Sequence, residues 1–205
     1  MTNGLRARKR KHLREALTSL AGHMFLEHGY ESVSMDQIAV RADISRGTLY
    51  NHFPSKEHLL AGWIHHELAK DLSATATTLD ACPDFKTGAA HLLGMSAQWC
   101  EQHKALLTPY LKFCFQNMHA TETTEGGEHL LTVYSVMISN DQNAGRISSE
   151  REALHLATLF HHLYLGALMR WLTTPGLSLR DEFDAILAVF INGCGTDVHQ
   201  KVKIK

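Results

Sequence analysis

No apolar run in the chain approaches the ~18 to 20 residues needed to span a bilayer, and its N-terminus lacks the apolar core of a secretion signal. No membrane partner is expected, and the cytoplasm is the expected compartment. Cysteine is scarce: Cys82, Cys100, Cys114 and Cys194 stand far apart in 205 residues, with no CxxC pair. That spacing argues against a disulfide framework and for buried free thiols, and it removes the strong sequence argument for a zinc site, so no metal is expected. There is no glycine-rich phosphate loop, no GxSxG elbow, no HExxH and no acid pair standing out from the surface charge. Neither an enzyme nor a cofactor is expected. Sustained period-two alternation is missing too, which leaves strands without support.

What remains is an ordinary globular composition, 44% hydrophobic and 20% charged, in a length that suits one large domain or a small one beside a larger one. The net charge of -1 conceals an asymmetry. Residues 1–56 hold nine Lys and Arg against five acids, and the remainder eleven against sixteen. A basic head on an acidic body suits a protein that presents one end to phosphate and keeps the rest away from it.

Apolar residues recur at helical spacing almost throughout, so the fold class is all-α, with about nine helices. The first runs from about Arg8 to His28, with Leu13, Leu17, Leu20, Ala21, Met24 and Phe25 along one side and Gly29 as its stop. Ser34 is a natural N-cap for a second helix, with Met35, Ile38, Ala39 and Ala42 on one stripe. After Asp43-Ile44-Ser45, a short third helix starts at Arg46 and ends before Pro54. Ser55 caps a long fourth helix that fades through the Thr-rich stretch at residues 75–78. Five further amphipathic segments follow. Short connectors at Asn143-Ala144-Gly145 and Thr174-Pro175-Gly176 point to antiparallel neighbours in a bundle.

The second and third helices, joined by a tight turn with Ala39 at their crossing and Ile44 and Leu49 turned inward, form a helix-turn-helix. Arg46, Thr48, Tyr50, Asn51 and His52 place a dense set of donors and acceptors on about two turns, suited to phosphates and base edges. Phe53 reads as a core aromatic that locks the recognition helix, and Tyr50 as an exposed one.

The run GYESVSMDQIAVRADISRGTLYNHFPSKEHLL, residues 29–60, closely resembles the DNA-binding signature of the TetR family of bacterial transcriptional regulators. The likeness covers the first quarter of the chain, and the helical remainder is compatible with that family's larger bundle for ligand binding and dimerisation. It implies a helix-turn-helix domain over residues 1–56 and a ligand-binding and dimerisation domain over 57–197, while the basic residues 198–205 themselves read as a frayed, disordered tail. It further implies a homodimer on double-stranded, palindromic operator DNA, a repressor released by a small-molecule inducer. Ser34 would cap its helix and meet a phosphate. Arg46, Gly47 and Thr48 would open the recognition helix against bases, Tyr50 and His52 would meet phosphates or bases, and Lys56 would hold backbone phosphate. Arg6, Arg8, Lys9, Arg10 and Lys11 would form an arm toward a neighbouring groove or phosphates, with nothing apolar to anchor it. One departure is Asp43, where the family commonly has Gly at a position that tends to need a left-handed backbone. Asp tolerates that conformation better than most residues.

Some 120 further residues of amphipathic helix exceed what DNA binding needs, which points to a sensor. Trp99, Cys100, His103, Tyr110, Phe113, Cys114, Tyr134, Met137, His161 and Tyr164 are candidates to line an aromatic cavity, and ordinary core packing is the competing explanation. Without an obvious permanent charge among them, a neutral or cationic aromatic ligand is favoured over a polyanion. Leu163, Gly166, Ala167 and Arg170, with Phe183, Ile186, Leu187, Phe190 and Ile191, are candidates for a four-helix dimer surface, unless they close the chain's own core. Fifteen histidines raise metal sensing, but the adjacent pairs His65-His66 and His161-His162 diverge by about 100° and lack i, i+4 partners. A sensor of thiol oxidation at Cys100 and Cys114, and a helical protein-interaction module, compete with the ligand-responsive reading.

Overall fold

The computed structural model describes residues 2–117 and 125–194, so the expected tail at 198–205 lies outside the described residues. The described residues form nine helices and no strand: α1 (Thr2–His28), α2 (Met35–Arg41), α3 (Arg46–His52), α4 (Lys56–Asp80), α5 (Phe85–Gln102), α6 (Lys104–Gln116), α7 (Glu125–Asn143), α8 (Ala153–Thr173) and α9 (Leu179–Cys194). Packing divides them into two units. One holds α1, α2, α3, α4 as far as Ala74, and α6; the other holds α4 from Thr75, α5, α7 from His129, α8 and α9.

In the first unit, Leu17, Ala21 and Phe25 put one buried residue on each successive turn of α1. Gly29, at φ 81°, ends the helix with its N–H on the Phe25 carbonyl, the left-handed stop that its sequence position predicts. At Gly22 an added Cβ would run into the Trp63 indole, so α1 meets α4 closely there only because that residue has no side chain. The helix begins at Thr2, six residues before the expected start at Arg8, and takes in the basic segment expected as an unanchored arm. Arg and Lys favour helix, and the packed part of α1 supplies the nucleus onto which those residues propagate.

The α4 helix likewise runs past its expected fade, to Asp80. In the second unit Thr75 is buried there, its hydroxyl sharing a hydrogen bond with His91 Nε2 at 2.9 Å. A buried polar contact outweighs the weak helix propensity of a Thr-rich run.

The core of the second unit is aromatic. Phe85, Tyr134, Phe160 and Phe190 pack at tilted and edge-on angles with centroids 4.9 to 6.3 Å apart. Beside it, α9 packs along both α5 and α8. The Asp141 carboxylate, only 3% exposed, accepts from the Phe85 backbone N–H at 3.0 Å and from Arg146 at 2.6 and 3.1 Å. It thereby fastens the start of α5 to the end of α7. Gly145 and Gly176, both at positive φ, turn the chain in the two connectors read as tight turns.

Candidate nucleic-acid interface

The helix-turn-helix is built from short-range signals. Ser34 is the N-cap of α2 in a complete capping box: its hydroxyl accepts from the Gln37 backbone N–H at 3.3 Å, and Gln37 Oε1 accepts from the Ser34 backbone N–H at 2.7 Å. Ser45 does the same work for α3, accepting from Thr48 N–H at 3.1 Å. Between them, Asp43 holds φ 53°, the left-handed conformation expected at that residue. The Ile44 N–H then reaches the Ala39 carbonyl at 3.1 Å.

Two residues anchor α3. Leu49 is fully buried, and Phe53, at its C-cap, is 2% exposed, with the Arg14 guanidinium 4.4 Å from the centre of its ring. The rest of α3 faces outward. Arg46, Gly47, Tyr50 and Asn51 are exposed, and Thr48 is half-buried with its hydroxyl 2.8 Å from that of Ser45. Tyr50 is 43% exposed against 2% for Phe53, three residues on, so one aromatic reads outward and the other locks inward. Arg46 Nε pairs with Asp36 at 2.8 Å across the turn. Because both partners are more than half exposed, the pair orients the guanidinium more than it stabilises the fold.

Lys56 opens α4. Its ammonium donates to the Tyr30 carbonyl and lies over the Tyr30 ring, while the Tyr30 hydroxyl donates to Glu57 Oε1 at 3.0 Å. Burial and that carboxylate together hold the Tyr30 hydroxyl in its protonated form. Ser34 and the exposed basic residues of α1, Arg8, Lys9 and Arg10, complete the set of candidates. Lys9 and Arg10 form, with Leu13, one wall of a cleft of about 550 Å³ whose other wall is Asn51 and His52. Arg14, Tyr30 and Asp36, which orient these residues, carry no local motif; Arg14 reaches the His52 carbonyl across 38 positions of sequence.

The candidates for ligand contact divide between the units. His103, Tyr110 and Phe113 belong to the first, where they pack on α4: Tyr110 bonds His65 at 2.9 Å, Phe113 lies edge-on to His58, and His103 edge-on to Trp63. Trp99, Cys100, Tyr134, Met137, His161 and Tyr164 belong to the second. There Tyr134 is a member of the aromatic core and Met137 covers Gly88. Tyr164 shares a hydrogen bond with Ser96 at 2.8 Å and stacks on His161 and Phe183. His161 is held neutral, its pKa lowered to about 4 by burial and by His162. Burial raises the Cys100 thiol to about 11 and also raises Cys114, the opposite of an activated thiolate. Among the described residues no three His, Cys, Asp or Glu side chains stand close enough to share a metal ion, and no helix is long and apolar enough to cross a membrane.

Of the dimer-surface candidates, Ala167, Phe183, Leu187 and Phe190 are buried within the chain, where they fill its own core. Gly166 and Arg170 remain exposed, Leu163, Ile186 and Ile191 are half-buried, and Arg170 pairs with Glu182 at 2.9 Å. On the same two helices Leu159, Met169 and Val189 are 45%, 44% and 64% exposed.

Residues 17–62 match the family model described as bacterial regulatory proteins, tetR family. The chain is similar to the HTH-type transcriptional repressor KstR of Mycolicibacterium smegmatis, 26% identical over 166 residues that cover 80% of this chain and 77% of that one. It is similar to KstR of Mycobacterium tuberculosis at 25% identity, covering 80% and 71%. Its fold is that of Thermus thermophilus FadR, a TetR family transcriptional repressor solved in complex with lauroyl-CoA, with a TM-score of 0.74, 22% identity and 88% and 94% of the two chains covered.

Proposed function

Because the chain belongs to the TetR family of bacterial regulatory proteins, and is a transcriptional regulator, we propose that it is a repressor that binds a palindromic operator as a homodimer and leaves it when a small molecule binds. The observation that carries this reading is the outward face of α3. Arg46, Thr48, Tyr50 and Asn51 stand on a helix anchored by Leu49 and Phe53, so base-reading groups project from a fixed mount. Gly47 lets the backbone approach, and Ser34 offers its helix N-terminus to a phosphate. Lys56 uses one of its three protons on Tyr30, which leaves two for phosphate oxygens.

A palindrome requires two-fold symmetry. The outer faces of α8 and α9 supply a surface for it, with Leu159, Leu163, Gly166 and Met169 on one helix and Ile186 and Val189 on the other. For the inducer, the second unit offers an aromatic interior with neutral polar groups on Ser96, Tyr164 and His161. These favour a largely apolar, uncharged ligand. Binding there would act through α4, the helix that belongs to both units, by whatever difference in affinity the ligand has for the two states.

The test is binding to the DNA that flanks the protein's own gene, at two salt concentrations, with Tyr50→Ala and Lys56→Ala as comparisons. Tight binding that weakens steeply with salt and is lost in both variants supports the operator reading. A folded, dimeric protein that binds no duplex under any condition overturns it in favour of a protein-interaction bundle.

A further inference from the structure

We propose that Arg46 reads a guanine in the major groove and that Asp36, on the neighbouring helix, is the positioning residue that sets this preference. The inference rests on the operator reading above and names one base within it.

Arg46 is the first residue of α3, at the end where a recognition helix meets base edges, and Gly47 after it adds no side chain to crowd the approach. A guanidinium there can meet a phosphate or a base edge, and guanine offers its O6 and N7 acceptors side by side. Asp36 decides between them. It stands in the first turn of α2, and its Oδ1 lies 2.8 Å from Arg46 Nε. Beside that carboxylate the guanidinium keeps little net charge for a phosphate, which the carboxylate itself repels. What stays attractive is the pattern of its donors. Contact at Nε leaves the outer edge of the group, where Nη1 and Nη2 present parallel N–H bonds to a bidentate acceptor. Thr48, in the same turn of α3, has its hydroxyl engaged with that of Ser45 at 2.8 Å, so Arg46 is the residue of that turn that brings two donors.

The pair also lowers the cost of ordering. Both side chains are more than half exposed, and an arginine alone at such a site would lose its rotamer freedom on meeting a base. An ion pair formed beforehand has already restricted it. Asp36 also places a favourable negative charge at the N-terminus of α2, so a purely structural role is the competing account. The two accounts differ in one observable: stabilising α2 leaves base preference unchanged, whereas aiming Arg46 sets it.

The experiment uses the full-length protein and duplexes selected from random-sequence DNA by the wild type and by Arg46→Ala. The position at which Arg46→Ala loses its preference identifies the base that Arg46 reads, and the wild type should require guanine there. Replacing that guanine by adenine, or by 7-deazaguanine, which lacks the N7 acceptor, should weaken wild-type binding roughly tenfold to hundredfold per half-site. Arg46→Ala should bind all three duplexes alike. Asp36→Ala should discriminate among them roughly threefold to tenfold less than the wild type, while binding unrelated duplex at least as tightly because an acid facing the DNA is gone. In the double variant the loss of discrimination should not exceed that of Arg46→Ala alone. Each ratio compares duplexes on one protein, and the 7-deazaguanine arm needs no variant, so the test stands even if Asp36→Ala fails to fold. An Arg46→Ala preference identical to that of the wild type, or 7-deazaguanine tolerated by the wild type, overturns the guanine assignment while leaving DNA binding intact. An Asp36→Ala protein that discriminates like the wild type overturns the positioning role and leaves Asp36 a helix-stabilising acid. Failure of the wild type to select any duplex overturns the operator reading itself.

Discussion

The ammonium of Lys56 donates to the carbonyl oxygen of Tyr30 at 2.8 Å and stands 4.1 Å from the centre of the same residue's ring. One side chain at the start of α4 thus holds the turn that follows α1, and it does so at the residue proposed to grip phosphate. Lys56→Ala should therefore lower stability as well as DNA affinity, by about 1 to 2 kcal/mol for the lost hydrogen bond and cation–π contact. Urea unfolding followed by circular dichroism measures this; an unchanged midpoint would mean that the contact contributes nothing in solution. Tyr50→Ala, which removes an exposed ring, should weaken DNA binding with little change in that midpoint.

Asp43 carries the backbone at φ 53° through the turn of the helix-turn-helix. Asp43→Val, branched at Cβ, should cost about 1 to 2 kcal/mol and lower the melting temperature, whereas Asp43→Gly and Asp43→Asn should be tolerated. Equal melting temperatures for the Val and Asn variants would show that the turn relaxes to another conformation.

His161, with its pKa lowered to about 4, makes the second unit sensitive to acid. The folded state prefers the neutral ring, so its contribution is complete above the unfolded value of about 6.5 and is lost as pH falls toward 4. The loss should approach roughly 3 to 4 kcal/mol at the acid end, an upper bound set by the distance between those two values. His161→Phe keeps a ring to stack on Tyr164 and should flatten the fall in urea midpoint between pH 7 and 4.5. A parallel fall in both proteins would assign the acid sensitivity to other groups.

Val189 is 64% exposed on α9, which packs along α8, where Gly166 and Met169 are exposed too. If these helices form the dimer surface, Val189→Asp buries an unpaired carboxylate there and should weaken self-association by at least about tenfold. Sedimentation velocity over a range of concentrations reads the change. A variant that dimerises like the wild type would place the two-fold interface elsewhere.

Much of this molecule is written in signals that act within about four residues. The apolar stripe Leu17, Ala21, Phe25, the caps Ser34 and Ser45, the stop at Gly29 and the left-handed turn at Asp43 are each satisfied by near neighbours. The helices and the DNA-binding motif could therefore be read in order from the chain. Tyr50 and Phe53 lie three residues apart, which on a continuous helix would give them one face; they separate because Phe53 leaves α3 at its C-cap with an extended backbone, φ -140° and ψ 110°, so its ring is buried while Tyr50 stays outward.

Tertiary packing decided the rest. Whether the basic segment continues α1 depended on the packed turns behind it, and whether α4 outlasts its threonines depended in part on His91, sixteen residues away. Periodicity marks Phe183, Leu187 and Phe190 as apolar without saying whether they meet their own core or a partner; the positions of α5 and α8 turned them inward. Arg14 meets His52 across 38 residues, and Lys9 and Arg10 meet Asn51 and His52 only because α1 and α3 lie side by side. Local propensity fixes how each segment coils, whereas charge–charge and cleft-forming contacts depend on the path of the whole chain through space.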